Sequence, residues 1–131
     1  MGADKKVIDE WLEKADEDFG FASVNLDDQQ TTYFSLICFH YHQAVEKYLK
    51  AYIVANNLEF EKIHNLKILN QICLKNDAQF KEILDDCLFL NVFYIESRYP
   101  FDTPTNWRRE EAEKARVAAG RTKDFVKKLL N

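Results

Sequence analysis

The segment comprising residues 33–56 restricts the fold of this chain more than any other. Placed about 100° apart on a helical wheel, its apolar side chains occupy one broad face and its polar side chains the opposite arc, which predicts an amphipathic α-helix. The apolar face consists of Ile37, Tyr41, Ala44, Val45, Tyr48, Leu49, Tyr52 and Ile53. The opposite arc, which we call the polar arc, consists of His40, Gln43, Glu46, Lys47 and Lys50.

The residue types of the polar arc allow two interpretations. The simpler one is a solvated helix face on which Glu and Lys side chains three or four positions apart form stabilising pairs. The other is a binding site, because an imidazole, an amide, a carboxylate and two ammonium groups lie within reach of one another. Residue types alone leave both interpretations open.

Apolar periodicity predicts further helices on both sides of this segment. They cover residues 5–27, a short stretch beginning at Leu66, residues 78–96 and residues 106–130. Residues suited to helix ends flank the helical segments, namely Asp4, Thr31, Thr32, Asn56, Asn57 and Asp77. Three glycines and two prolines are too few for a many-stranded sheet. We therefore predict one all-α domain over residues 1–131, an antiparallel up-and-down bundle of four main helices plus a short extra helix.

Composition and charge exclude several classes of function. The net charge of −4 argues against general affinity for duplex DNA or for an anionic membrane. Cys38, Cys73 and Cys87 each lie in an apolar helical run, so we expect buried, reduced thiols. No signal peptide and no apolar run of membrane-spanning length is recognisable. These features predict a soluble, cytoplasmic protein.

Neither a metal site nor a catalytic nucleophile is predicted from the sequence. Cys38, His40 and His42 are spaced two apart on a helix and therefore point in different directions, so we expect no metal ion. No nucleophile elbow and no glycine-rich phosphate loop occurs, so we expect no cofactor. Asp16 and Asp18 resemble a Mg²⁺-binding pair, but on a helix they are more typical of an exposed acidic turn.

Arg98 and His64 are the remaining candidates for a functional role. Arg98 ends a strongly apolar helix, so its guanidinium requires an anion or a carbonyl as partner. Either Glu46 or the phosphate of a ligand would satisfy it. His64 stands alone before a short helix, where a histidine is usually a capping or loop-anchoring residue.

Several of these landmarks together resemble the HEPN family. Residues 42–51 read His-Gln-Ala-Val-Glu-Lys-Tyr-Leu-Lys-Ala, and this block is the most specific part of the match. The other landmarks are Ala15 and Asp18 in the first helix, His64 and Leu66, the Arg98-Tyr99-Pro100 triplet, and Glu111, Ala112 and Ala115 in the last helix. The resemblance covers nearly the whole chain, from about residue 7 to residue 128.

The resemblance implies a helical bundle that usually dimerises and that has been linked to nucleotide binding. In prokaryotes such proteins are often encoded beside a minimal nucleotidyltransferase. Many relatives cut RNA with an arginine followed four to six residues later by a histidine. Here no histidine follows Arg98, so ribonuclease activity would require His40, His42 or His64 to lie near Arg98 in the fold.

Our hypothesis is a homodimeric, non-catalytic protein that binds a nucleotide or RNA and acts with a co-encoded nucleotidyltransferase. The expected site consists of His40, Gln43, Glu46, Lys47, Lys50, His64, Arg98 and Tyr99. In it Lys47, Lys50 and Arg98 would contact phosphate, while Gln43, His40 and Tyr99 would contact the base or position the ligand. The apolar run at residues 88–95 predicts the dimer. The alternatives are a metal-independent ribonuclease with a displaced histidine and a pure assembly module.

Overall fold

The computed structural model describes residues 4–60, 62–94 and 107–131. Within these ranges all regular structure is helical, as predicted. The elements are α1 (Lys5–Asp27), α2 (Phe34–Ala55), α3 (Leu66–Asn76), a 3₁₀ helix (Ala78–Ile83), α4 (Leu84–Asn91) and α5 (Arg109–Leu130). Residues 95–106, which contain Arg98 and Tyr99, lie outside the described parts of the chain.

Helix α2 is the centre of the bundle and packs against α1, α3, α4 and α5. Every residue of its predicted apolar face is buried. Small and medium-sized side chains of α5 are also buried at Ala112, Ala115, Ala119, Thr122 and Val126, and they allow α5 to approach α2 closely. The amphipathic pattern of residues 33–56 is therefore confirmed as the pattern of the central helix.

Contacts between α1 and α2 establish that these helices are antiparallel. Asp16 accepts a hydrogen bond from Tyr48, whereas Ser23, further along α1, bonds Tyr41 at 2.7 Å, earlier in α2. The carboxylate of Asp16 also accepts from Lys127 of α5 at 2.7 Å. One α1 side chain thus links three helices.

Most helix ends follow the local rules that the sequence predicts. Asp4 and Asp77 each accept from the backbone N–H two residues later, and Asn57 adopts a left-handed φ of 53° after α2. The prediction that Thr31 or Thr32 caps α2 is wrong. Tyr33 occupies the N-cap without a side-chain hydrogen bond, while the Thr31 hydroxyl accepts from the Tyr33 N–H within the preceding turn.

The predicted fourth helix begins as a 3₁₀ helix rather than an α-helix. The tighter winding aligns side chains three residues apart, and here it turns both Phe80 and Ile83 into the core. The Phe80 ring packs against Tyr52 of α2 and Phe125 of α5, with centroid distances of 4.5 and 4.9 Å. These contacts outweigh the preference for a continuous α-helix.

The start of α5 is tied to the end of α1 by Arg109. Its guanidinium donates to the carbonyl oxygens of Leu26 at 2.7 Å and Asp28 at 3.2 Å, and it lies 5.1 Å from the centroid of the Phe34 ring. The Leu26 carbonyl has no partner within α1 because the helix ends there, and the Asp28 carbonyl also accepts from the Thr31 N–H. The first turn of α5 is therefore anchored to the end of α1.

The three cysteines are free and fully buried, as expected. Burial raises the pKa of the Cys38 and Cys87 thiols to about 12. Such thiols remain protonated and weakly nucleophilic at neutral pH. Across the described ranges, none of the helices has the length and apolar character that crossing a membrane requires.

Candidate functional site

The polar arc of α2 does not form one surface but divides into two clusters with different partners. His40 and Lys47 contact Asp18 of α1, and we call these three residues the Asp18 cluster. Glu46 and Lys50 pair with each other and contact His64, and we call these three the Glu46 cluster. The two clusters differ most in their exposure to solvent.

In the Asp18 cluster one carboxylate contacts both an imidazole and an ammonium group. His40 Nδ1 lies 3.1 Å from Asp18 Oδ1, and the Lys47 ammonium donates to Oδ2. Burial by itself would raise the pKa of the Asp18 carboxyl, but the hydrogen bonds from His40 and Lys47 outweigh it and lower that pKa. The Asp18 side chain is only 15% exposed, so the expectation of an exposed acidic turn is wrong at this position.

In the Glu46 cluster an ion pair is almost completely removed from solvent. Lys50 Nζ donates to Glu46 Oε2 at 2.8 Å, and the two side chains are 8% and 5% exposed. The ammonium also lies 5.8 Å from the ring centroid of Trp11 and 5.9 Å from that of Phe60. Burial of a lysine requires such partners, since an unpaired charge in the interior is costly.

His64 connects this buried pair to the surface. Its Nδ1 atom lies 3.1 Å from both Oε1 and Oε2 of Glu46, while its side chain is 47% exposed. The exposed imidazole is thereby held in one orientation by a carboxylate that solvent does not reach. The N-cap of α3 is the neighbouring Asn65, whose side chain accepts from Lys67 and Ile68, so His64 is not the capping residue.

Lys47 and Lys50, expected to share one anion, each contact a carboxylate of their own. The carboxylate of Glu46, one of the two partners considered for Arg98, is bound by Lys50 and His64. Arg98 and Tyr99 belong to residues 95–106, outside the described structure.

Tyr94 lies next to His64. The two rings stack with a centroid distance of 4.9 Å and an interplanar angle of 11°. The Tyr94 ring also lies 5.3 Å from His42 and 6.0 Å from Phe39. Tyr94 is the last described residue before residues 95–106.

His42 is part of the site, although sequence reasoning considered it only as a metal ligand or as a displaced catalytic histidine. It is fully buried, with Nδ1 3.1 Å from the Gln43 side-chain amide and Nε2 3.1 Å from the carbonyl oxygen of His64. Burial lowers the pKa of its imidazole. Asp18, Tyr94 and Trp11 were also not assigned to the site. Asp18 could have been assigned from the sequence, since it is one of the two residues of the first helix that carry the family resemblance.

Acidification is expected to destabilise the protein through His42. Because burial lowers its pKa below the ordinary value of 6.5, the unfolded chain binds a proton between pH 6.5 and that lowered value while the folded protein does not. The contribution of neutral His42 is complete above pH 6.5 and is lost as the pH falls, by up to about 1.4 kcal/mol per pH unit. Urea unfolding between pH 8 and pH 5 measures this slope. An equally steep slope in His42→Gln would contradict the assignment.

Comparison with known proteins identifies the family of this chain. The HEPN domain family model matches residues 8–129, and the chain belongs to the HEPN family. The crystal structure of TT1696 from Thermus thermophilus superimposes with a TM-score of 0.81 at 26% identity, covering 92% of this chain and 96% of that one. A search of curated proteins found no match.

A second solved structure, ST0689, is described as an archaeal HEPN homologue. It superimposes with a TM-score of 0.74 at 22% identity, covering 95% of this chain and 98% of that one. At this identity the likeness concerns the fold alone. Both comparisons extend over nearly the whole length of each chain, in agreement with the all-helical architecture.

Proposed function

We propose that this HEPN protein binds a nucleotide on the surface formed by Gln43, His64 and Tyr94, completed by Arg98 and Tyr99. The observation that carries the proposal is the position of His64. Its half-exposed ring is held by a buried ion pair and stacks on Tyr94, where the chain enters the segment that contains Arg98. In this proposal the protein holds its ligand without transforming it.

The Glu46 cluster favours a ligand site over a solvated face. A buried ion pair stabilises a fold no better than apolar residues of similar volume, whereas here it also orients an imidazole that solvent reaches. Flat rings such as those of His64 and Tyr94 offer a stacking surface for a nucleobase. In this proposal Glu46 and Lys50 orient the His64 ring from the protein interior, and Lys50 is not itself a phosphate ligand.

The phosphates of the ligand would lie toward Arg98, whose guanidinium can bind two phosphate oxygens at once. Lys47, with a side chain 26% exposed, is the second candidate, and His40 is its neighbour in the Asp18 cluster. A co-encoded nucleotidyltransferase is the partner we propose, since a domain that holds a nucleotide without transforming it would serve such an enzyme.

We further propose that a second copy of the chain covers the outer face of α4 and α5. Leu88, Val92 and Val117 on this face are 41%, 44% and 53% exposed. A cavity of about 410 Å³ lies beside Val117 and has an apolar floor and a rim of both charge signs, including Glu113 and Lys114. A face with both signs at its edge can pair with itself across a two-fold axis.

A nucleoside triphosphate is expected to raise the melting temperature. At a ligand concentration 100-fold above Kd the stabilisation is about 2.7 kcal/mol, or roughly 10 °C for a chain of this length. Arg98→Ala and His64→Ala should each remove most of the shift. Lys128→Ala, at an exposed position near the end of α5, should leave it unchanged. Differential scanning fluorimetry with each common nucleotide measures the effect, which should shrink as salt is added.

The absence of any shift, both for the isolated protein and together with a co-encoded nucleotidyltransferase, would contradict nucleotide binding. The protein would then be best described as an assembly module.

A ribonuclease with a displaced histidine is the second candidate function, and the Glu46–His64 contact favours it. A carboxylate on Nδ1 leaves Nε2 of the half-exposed ring able to take or give a proton, as general acid–base catalysis requires. Under our main proposal the purified protein does not cleave single-stranded RNA in EDTA. If the protein does cleave RNA and His64→Ala abolishes the cleavage, the ribonuclease function replaces the nucleotide-binding function proposed above.

A further inference from the structure

The hydrogen bonds around the buried His42 determine which atoms of the site face a ligand. The carbonyl oxygen of His64 can only accept, so the Nε2 atom of His42, 3.1 Å away, must carry the ring proton. A buried imidazole is neutral and has one N–H. Its Nδ1 atom therefore carries a lone pair and requires a hydrogen-bond donor.

Gln43 is the group that must supply this donor. Its side-chain amide lies 3.1 Å from His42 Nδ1, with the carbonyl Oε1 placed on the contact. The two ends of an amide have nearly the same shape, and only the surrounding hydrogen bonds distinguish them. Here they require the amide nitrogen at the contact, because two acceptors would repel each other. The Gln43 Oε1 atom is then the end of the amide that points away from His42.

The end of the Gln43 amide that points away from His42 is open to solvent. Within the described ranges the Gln43 amide has no other hydrogen-bond partner, and neither end of it is among the buried side-chain atoms that lack one. The outward atom therefore reaches solvent, and it is an acceptor.

His64 presents a second acceptor by the same reasoning. Its Nδ1 atom faces both oxygens of the Glu46 carboxylate, which only accepts, so Nδ1 carries the proton. In the neutral ring the lone pair is then on Nε2. The side chain is 47% exposed, and no described residue bonds Nε2. Gln43 lies one helical turn before Glu46, which the His64 ring contacts, and the His64 backbone carbonyl bonds the same His42 ring as the Gln43 side chain, at its other nitrogen. The two residues are therefore neighbours in the site.

Building on the nucleotide-binding function proposed above, we propose that Gln43 and His64 select nucleobases that carry an amino group. Guanine offers N1–H and the adjacent amino group as donors to two acceptors, and cytosine and adenine each offer one amino group. Uracil has a single N–H between two carbonyls, and hypoxanthine lacks the amino group of guanine. A site lined by acceptors disfavours bases that present carbonyls to it.

Calorimetry at pH 8 tests the proposal with two ligand pairs that differ in an amino group. We expect GTP to bind about three- to tenfold more tightly than ITP, and CTP more tightly than UTP. Gln43→Met has a similar length but no acceptor, and it should abolish the difference in each pair. Gln71→Met, at an exposed position of α3, should retain it.

The outcomes separate this proposal from the proposed function. If the triphosphates bind equally within both pairs, or if Gln43→Met leaves the differences intact, the selection by amino groups is wrong while nucleotide binding stands. If none binds, nucleotide binding itself is wrong, and the selection falls with it.

A second measurement requires no ligand. In protein with ¹⁵N-labelled histidine, nitrogen chemical shifts report which ring nitrogen carries the proton. We expect the Nε2–H form for His42 and the Nδ1–H form for His64. A proton on Nδ1 of His42 would place the Gln43 oxygen inward and overturn the proposal, whatever the affinities are.

Discussion

Glu46→Ala is expected to destabilise the protein by about 3–5 kcal/mol. The change leaves the Lys50 ammonium, 8% exposed, without its carboxylate partner in the interior. The rings of Trp11 and Phe60 replace only part of that interaction. Urea unfolding followed by circular dichroism gives the free energy of unfolding for both proteins.

An exposed pair of the same spacing provides the matched control. Glu110 and Lys114 also lie four residues apart on a helix, with side chains 71% and 62% exposed. Glu110→Ala should cost less than about 1 kcal/mol, because solvent screens the charge that remains. A similarly small loss for Glu46→Ala would show that the Glu46 cluster is not buried as described.

Replacing both partners separates stability from function. Glu46→Met combined with Lys50→Met removes both charges together and should recover most of the stability lost in the single variant. The His64 ring, however, would lose the carboxylate that orients it. We therefore expect the double variant to be folded and yet deficient in nucleotide binding.

Val117→Glu is expected to convert the proposed dimer into monomers. It places a charge on the exposed face that we propose a second copy covers, where that copy would have to bury the charge unpaired. Light scattering of the unmodified protein at micromolar concentration should report twice the 15.5 kDa of one chain, and the variant should report the single mass.

The control for this prediction is Val24→Glu on α1. Val24 is 72% exposed and lies on a different helix from the proposed interface, so its replacement should leave the dimer intact. A monomeric unmodified protein, or dissociation caused equally by both variants, would contradict the assignment of this face.

Local sequence features were sufficient to predict the helices. Apolar residues at helical spacing produced the bounds of α1 without error and those of α2 to within one residue at each end. Asp4 and Asp77 were recognised as caps because their hydrogen bonds reach only two residues along the chain. The start of α4 was wrong because the core contacts of Phe80 involve helices distant in sequence.

The site depended on information that no local pattern contains. The polar arc was recognised correctly as five residues on one side of α2, but the partners of its side chains come from other elements. Asp18 is 29 residues from Lys47, and His64 is 18 residues from Glu46. Whether a lysine on a helix meets solvent, a phosphate or a buried carboxylate is decided by what packs over it.

The sequence by itself therefore determined the helices apart from the start of the predicted fourth one, the apolar face of the central helix and the family resemblance, since each follows from residue types at short, regular spacing. Only the tertiary structure decided that Glu46 and Lys50 are buried, that His64 is held from within, and that His42 orients the Gln43 amide. The physical reason is that burial and hydrogen-bond partnership depend on the packing of distant segments, and the same side chain has a different chemistry in water and in the interior.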